Sequence, residues 1–293
     1  MSARSACLIA ASFGALSIAT SAQAPLDIDT LLSRIAERIE QYYRRAQNIM
    51  CIEKTMVLHL GSDFQAIGLQ RTTEAELRVE SAASDDGDGS VQPNFVRELM
   101  RINGRVPRDK ERKDRSACLD PNPLTPEPLS FLLPSRREGY IFTSGGFGKG
   151  KDRNALFVNY ARPTKKKAEL IDDPLGRDGC FEITSPLAVK GRVVIDKNSY
   201  DVLRIEEHLA GLGEIRASVK QQREHNFSPS IVVDRIDVTT RYKVVSFTNP
   251  EETYLLPESI DTLEMFRGGV QSHRTRQEFS NYRRFMTGGR IVK

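Results

Sequence analysis

The chain has 293 residues, of which 39% are hydrophobic, 28% charged and 7% aromatic, with no Trp. This composition excludes disordered, collagenous and membrane-embedded classes and leaves one large β domain or two medium domains. Lys and Arg number 43 against 39 Asp and Glu, and a net charge of +4 is too small a surplus to mark a nucleic-acid surface.

The N-terminal stretch combines Arg4, an apolar run from Leu8 to Ile18 and the small residues Thr20-Ser21-Ala22-Gln23-Ala24. That order is the pattern of a secretory signal peptide, with a run too short to span a bilayer. Cleavage is expected after Ala22, because a cut after Ala24, the alternative, leaves Pro25 as the first residue. Cys7 precedes the apolar run, so no lipidation motif follows it, and no other stretch has the length of a transmembrane helix. Residues 1–22 are therefore read as signal peptide and 23–293 as one domain, expected in the periplasm or secreted. Loss of Cys7 leaves Cys51, Cys118 and Cys180, an odd number in an oxidising compartment. Three pairings are open; Cys118 in a Pro-rich loop and Cys180 at the start of a strand form the expected disulfide. Cys51, between Met50 and Ile52, is expected as a small buried hydrophobe.

Residues 27–48 read as a helix, because Ile28, Leu32, Ile35, Ile39, Tyr42 and Ala46 recur at steps of three and four. Asp27 or Asp29 is placed to cap it. Beyond the helix the pattern is mostly strand. Ala75, Leu77 and Val79 alternate with charges, as do Leu203, Ile205 and Leu209 with Arg204, Glu206 and His208. Such alternation predicts antiparallel strands with one dry and one wet face. Further strands are expected at 49–60, 94–103, 138–144, 154–161, 179–185, 191–196, 230–246, 254–266 and 271–285, about eleven in all. Ser81 to Gln92 is an acidic, apolar-poor loop, Arg105 to Arg115 a charged one, and Leu129 to Leu133 a short apolar turn of helix.

Chemical motifs are sparse. Gly145-Gly146-Phe147-Gly148-Lys149-Gly150-Lys151 fits part of a phosphate-binding loop, but Asp152 stands where Ser or Thr is needed, and a strand rather than a helix is expected next. It is read as a Gly-rich hairpin connection, with no nucleotide. Asp85 to Ser90 lacks the spacing and terminal Glu of a calcium loop. His59, His208, His225 and His273 are scattered; Glu206 and His208 share a strand face without a third ligand, so no metal and no cofactor are expected. There is no G-x-S-x-G and no H-E-x-x-H, hence no catalytic residue to name. The cluster at 105–115 is diluted by Asp109, Glu111 and Asp114, and reads as a solvated loop.

The segment Gly191-Arg192-Val193-Val194-Ile195-Asp196-Lys197-Asn198-Ser199-Tyr200-Asp201-Val202-Leu203-Arg204-Ile205-Glu206 resembles a hairpin of the lipoprotein-carrier superfamily, which includes periplasmic lipoprotein chaperones and the sensor domains of envelope-stress regulators. Leu256-Pro257-Glu258-Ser259-Ile260 and Phe279-Ser280-Asn281-Tyr282-Arg283-Arg284-Phe285 are similar to exported bacterial proteins of this general type. The resemblance implies an α+β, mainly antiparallel fold: a curved unclosed barrel with the N-terminal helix and a short helical plug on its concave side. The function expected is non-enzymatic binding of a lipid, acyl chain or lipidated peptide. Ile35, Ile39, Phe131, Leu132 and Leu133 are the candidate liners. The alternatives are an envelope protein-interaction or regulatory module and an unrecognised hydrolase. The expected partner is thus a hydrophobic ligand or an envelope protein, with no nucleic acid and no transmembrane segment in the mature chain.

Overall fold

The strand alternation seen in the sequence builds a single open sheet. The computed structural model describes residues 27–45, 49–83, 91–109, 111, 128–149, 152–164, 166–172, 181–248 and 251–284. Helix α1 (Ile28–Arg45) comes first, then β1 (Ile49–Leu60), β2 (Ala66–Ala83) and β3 (Val91–Ile102). Two short 3-10 turns follow, Pro128–Leu132 and Pro134–Arg136, then β4 (Ile141–Phe147), β5 (Ala155–Arg162), β6 (Ala168–Asp172) and β7 (Phe181–Ile183). The chain continues through β8 (Val189–Asp196), β9 (Val202–Leu209), β10 (Gly213–Arg216), helix α2 (Val219–His225), β11 (Ser230–Thr248), β12 (Glu251–Arg267) and β13 (Ser272–Arg284).

The main path runs β3-β2-β1-β13-β12-β11-β9-β8-β5-β4, antiparallel at every step, and ends in two different edge strands, so the curved sheet does not close. The last described strand, β13, inserts between β1 and β12 and so pairs with the first strand of the sheet. The short strands β6, β7 and β10 lie off this path, with β10 pairing antiparallel to β11 and parallel to β6. Among the described residues, thirteen strands therefore stand where about eleven were expected. The two additions, β6 and β10, have five and four residues and are too short to show a period. Helix α2 is a further addition, closed by a capping box in which Ser218 accepts from Gln221 N while the Gln221 side chain accepts from Ser218 N.

The sheet has a buried inner face and a charged outer face. On the inner face, Leu31, Leu32, Ile35 and Ile39 of α1 and Leu129 and Leu132 of the first 3-10 turn meet Leu156, Val158 and Tyr160 of β5, Val193 and Ile195 of β8, and Val202 and Ile205 of β9. Asp27 caps α1, accepting from Thr30 N at 3.0 Å. On the outer face, Arg241–Asp261 (2.5 Å), Asp261–Arg276 (3.5 Å) and Arg276–Glu278 (2.8 Å) form a ladder across β11, β12 and β13. Such exposed pairs each contribute about 0–1 kcal/mol. Their effect is to keep this face wet and to leave the inner face as the dry one.

Residues 1–26, with the expected signal peptide and both cleavage points, lie outside the described residues, as do Cys118, Cys180 and the acidic loop at 84–90. No described helix is long and apolar enough to cross a membrane.

Candidate functional site: the inner face of the open sheet

Strand register fixes which side chains stand side by side on the inner face. One row crosses nine strands: Phe142, Tyr160, Gly191, Glu207, Val238, Thr262, Thr275, Val57 and Arg71, from β4 to β2. The row beside it reads Ser144, Val158, Val193, Ile205, Thr240, Ile260, Gln277, Thr55 and Thr73. Both rows change character along their length. Over β5, β8 and β9 they are mainly aromatic and aliphatic, with Glu207 the one charged member; over β12, β13 and β1 they are mainly hydroxyl and amide. The inner face is therefore amphipathic across the sheet.

The apolar half is covered by α1 and the first 3-10 turn. Ile35, Ile39 and Leu132 are fully buried there, with at most 2% of their surface exposed, while Phe131 and Leu133 are half-buried at its margin. The structure thus brings all five sequence-named residues into one cluster. Phe131 packs among Tyr160, Tyr140 and Phe142, with centroids 4.8, 5.1 and 6.2 Å away. Arg137 ties the turn to the helix: its guanidinium donates to Leu132 O at 2.8 Å and to Leu32 O at 2.6 Å. Helix α1 is held separately, by Arg38 on Asp201 (2.7 Å) and Arg34 on the Tyr200 hydroxyl (2.6 Å). Both partners lie in the β8–β9 turn, where Asp196 accepts from the Asn198 and Ser199 amides and its carboxyl is held below its usual pKa, chiefly by the Ser199 bond.

Gly191 is required beneath Tyr160. A Cβ at that position would run into the Glu206 carbonyl oxygen and the Tyr160 ring. The bare backbone lets the ring lie across β8 and donate its hydroxyl proton to Glu207 at 3.0 Å. Burial, reinforced by the Glu207 charge, raises the Tyr160 pKa, so the phenol stays protonated.

The polar half holds a charge inside. Glu53 is 1% exposed; it accepts from Arg97 at 2.5 Å and from Gln277, itself fully buried, at 2.6 Å. Burial, reinforced by this carboxylate, pushes the Cys51 thiol up to about 12, so it is no thiolate nucleophile at neutral pH. Cys51 is buried and carries no disulfide. Beyond the Thr262–Thr275 row, His273 stands opposite both His59 and Glu264, with Nε2 2.8 Å from the Glu264 carboxylate. His208 instead lies on the outer face, 2.7 Å from Asp237, and its strand neighbour Glu206 pairs with Arg204 at 2.7 Å. Among the described residues, no group of three or more His, Cys, Asp or Glu is arranged to hold a metal.

Sequence alternation missed the polar half for a specific reason. On β1 the apolar residues Met50, Ile52, Met56 and Leu58 look outward, while Glu53 and Thr55 look in with Cys51 and Val57. On β9 a register irregularity between Val194 and Ile195 places Val202, rather than Leu203, on the buried face with Ile205. Gly145 to Lys149 run from the end of β4 into the β4–β5 connection, and strand β5 comes after it, as expected; Gly150 and Lys151 lie outside the described residues. In the charged loop, Arg105 holds Glu111 by two hydrogen bonds of 2.6 and 2.8 Å, and these keep that carboxyl at about 2.

The fold and the inner face define the class of protein: an open, curved antiparallel sheet with a helix and a short plug seated on its concave side. No family model matches the chain, and no curated protein matches it in sequence. Among solved structures, the chain is similar to the crystal structure of a LolA superfamily protein from Nitrosomonas europaea. The two are 8% identical with a TM-score of 0.36, over 89% of this chain and 97% of that one. The class rests on the sheet and its inner face rather than on that similarity.

Proposed function

We propose that this is an exported, non-enzymatic binding protein that holds the hydrophobic part of a lipid, acyl chain or lipidated peptide against the inner face of its sheet. One observation carries the reading. The apolar half of that face is covered by a helix and a short 3-10 turn instead of a second sheet, and the turn's Phe131 and the adjoining Leu133 remain half-buried. A five-residue turn fixed by two buried leucines and one arginine is a small element to displace. Moving it uncovers Tyr160, Phe142 and the Ile35–Ile39 side of α1 to a ligand. An apolar chain seated there gains roughly 25 cal/mol per Å² removed from water. Ile35, Ile39, Phe131, Leu132 and Leu133 are the proposed contacts. The Leu8 to Ile18 run and the Ala22 or Ala24 cleavage point support export.

Protein expressed with its leader and purified from the periplasm without detergent should carry acyl lipid, read by native mass spectrometry as a mass adduct removable by organic extraction. Ligand-free protein that also takes up no fluorescent fatty acid would contradict the reading. An interaction module receiving a partner strand is the second reading. It draws on edge strand β3, which pairs only with β2 among the described strands and exposes Val96 and Met100. A protein partner that survives delipidation in the same preparation favours it.

A further inference from the structure

We propose that Thr262 and Thr275 form a polar subsite that donates hydrogen bonds to the ester or amide carbonyl oxygens of an amphiphile, an inference that rests on reading the inner face as an amphiphile site. The two residues are directly opposite each other on β12 and β13. Both are buried, with 7% and 5% of their surface exposed, and neither hydroxyl has a hydrogen-bond partner among the described residues. A buried hydroxyl without a partner costs free energy, and two adjacent ones on the same face are a paired deficit. Nothing about the strands demands it, because Val fits a β-strand at least as well as Thr and has the same shape. The hydroxyls are therefore suited to bind something from outside the described residues.

The surroundings say which chemistry fits. The row neighbours are Val238 on one side and Val57 on the other, so no charged side chain stands directly beside the pair in its own row. On the adjacent rows Gln277 donates to Glu53 and His273 Nε2 lies 2.8 Å from the Glu264 carboxylate, while the nearest arginine of the pair's own row, Arg71, stands beyond Val57. Two neutral donors flanked by two valines match a neutral acceptor on an apolar chain better than a phosphate or carboxylate, which calls for cationic donors. Further along the same row, beyond Val238, lie Glu207 and the aromatic half with Tyr160 and Phe142. One molecule placed along the row would thus set its chain on the aromatic end and its carbonyl at the threonines.

The test compares 1-dodecanoylglycerol with 1-O-dodecylglycerol, which share chain and headgroup and differ in one carbonyl, against the wild-type protein and Thr262→Val/Thr275→Val. Wild type should bind the ester about tenfold more tightly than the ether. The double variant should bind both equally, with an unchanged or raised melting temperature, since the hydroxyls it removes bond nothing among the described residues. A retained ester preference in the double variant overturns the subsite while leaving amphiphile binding intact. A double variant that melts several degrees lower also overturns it, because the hydroxyls are then structural. If wild type binds neither lipid, the amphiphile reading fails and the subsite fails with it.

Discussion

Glu53 shows how much a single buried charge depends on its neighbours. Its carboxylate is out of water, and Arg97 and Gln277 supply the hydrogen bonds that compensate it. Removing one member of a buried ion pair leaves the other uncompensated and costs about 3–5 kcal/mol, although Arg97 is about a quarter exposed, which places the cost near the lower end. Arg97→Ala should therefore lower stability by roughly 3 kcal/mol, whereas Arg97→Ala combined with Glu53→Gln should recover part of the loss. Chemical denaturation of the wild type and both variants checks this; an Arg97→Ala loss below about 1 kcal/mol would show that water already solvates Glu53. Neither Glu53 nor Gln277 was legible in the sequence as buried. Both are ordinary surface types, and only the register of β13 between β1 and β12 turns them inward.

At the scale of elements, α1 was the most legible part of the chain. Its apolar residues repeat over about four turns, and Ile28, Leu32, Ile35, Ile39 and Tyr42 all join the core cluster as the spacing requires. The strands were legible as strands but not always as faces, because one-residue bulges at Val194/Ile195 and Val233/Arg235 shift side chains from one face to the other. The 3-10 plug was visible only as an apolar pentad, and its anchor Arg137 carried no sequence signal, since its partners are backbone carbonyls. The most deeply buried residue of the plug is Leu132. Leu132→Ala should destabilise the protein by about 2–5 kcal/mol if the site cannot collapse. Because the plug also covers the proposed ligand surface, the same variant should raise the on-rate for a fluorescent fatty acid, read by stopped flow. A variant that is destabilised with an unchanged on-rate would mean the plug is core and not cover.

For the whole molecule, the open sheet sorts its residues by face. The outer face carries ion-pair ladders, and the inner face grades from mainly aromatic and aliphatic on β5, β8 and β9 to mainly polar on β12, β13 and β1. Composition gives only the average of these surfaces, a slightly basic chain of ordinary hydrophobicity, because registers assign residues to faces and registers are set by contacts far apart in sequence. An amphiphile lying along the inner face must displace the plug. Hydrogen exchange measured with and without 1-dodecanoylglycerol reads both events at once. Binding should slow exchange in β11, β12 and β13 around Val238, Thr262 and Thr275, and speed it at residues 128–137, with β3 and α2 unchanged. Identical exchange at the plug and the inner strands, under conditions where the lipid is bound, would place the ligand elsewhere and contradict binding along the inner face.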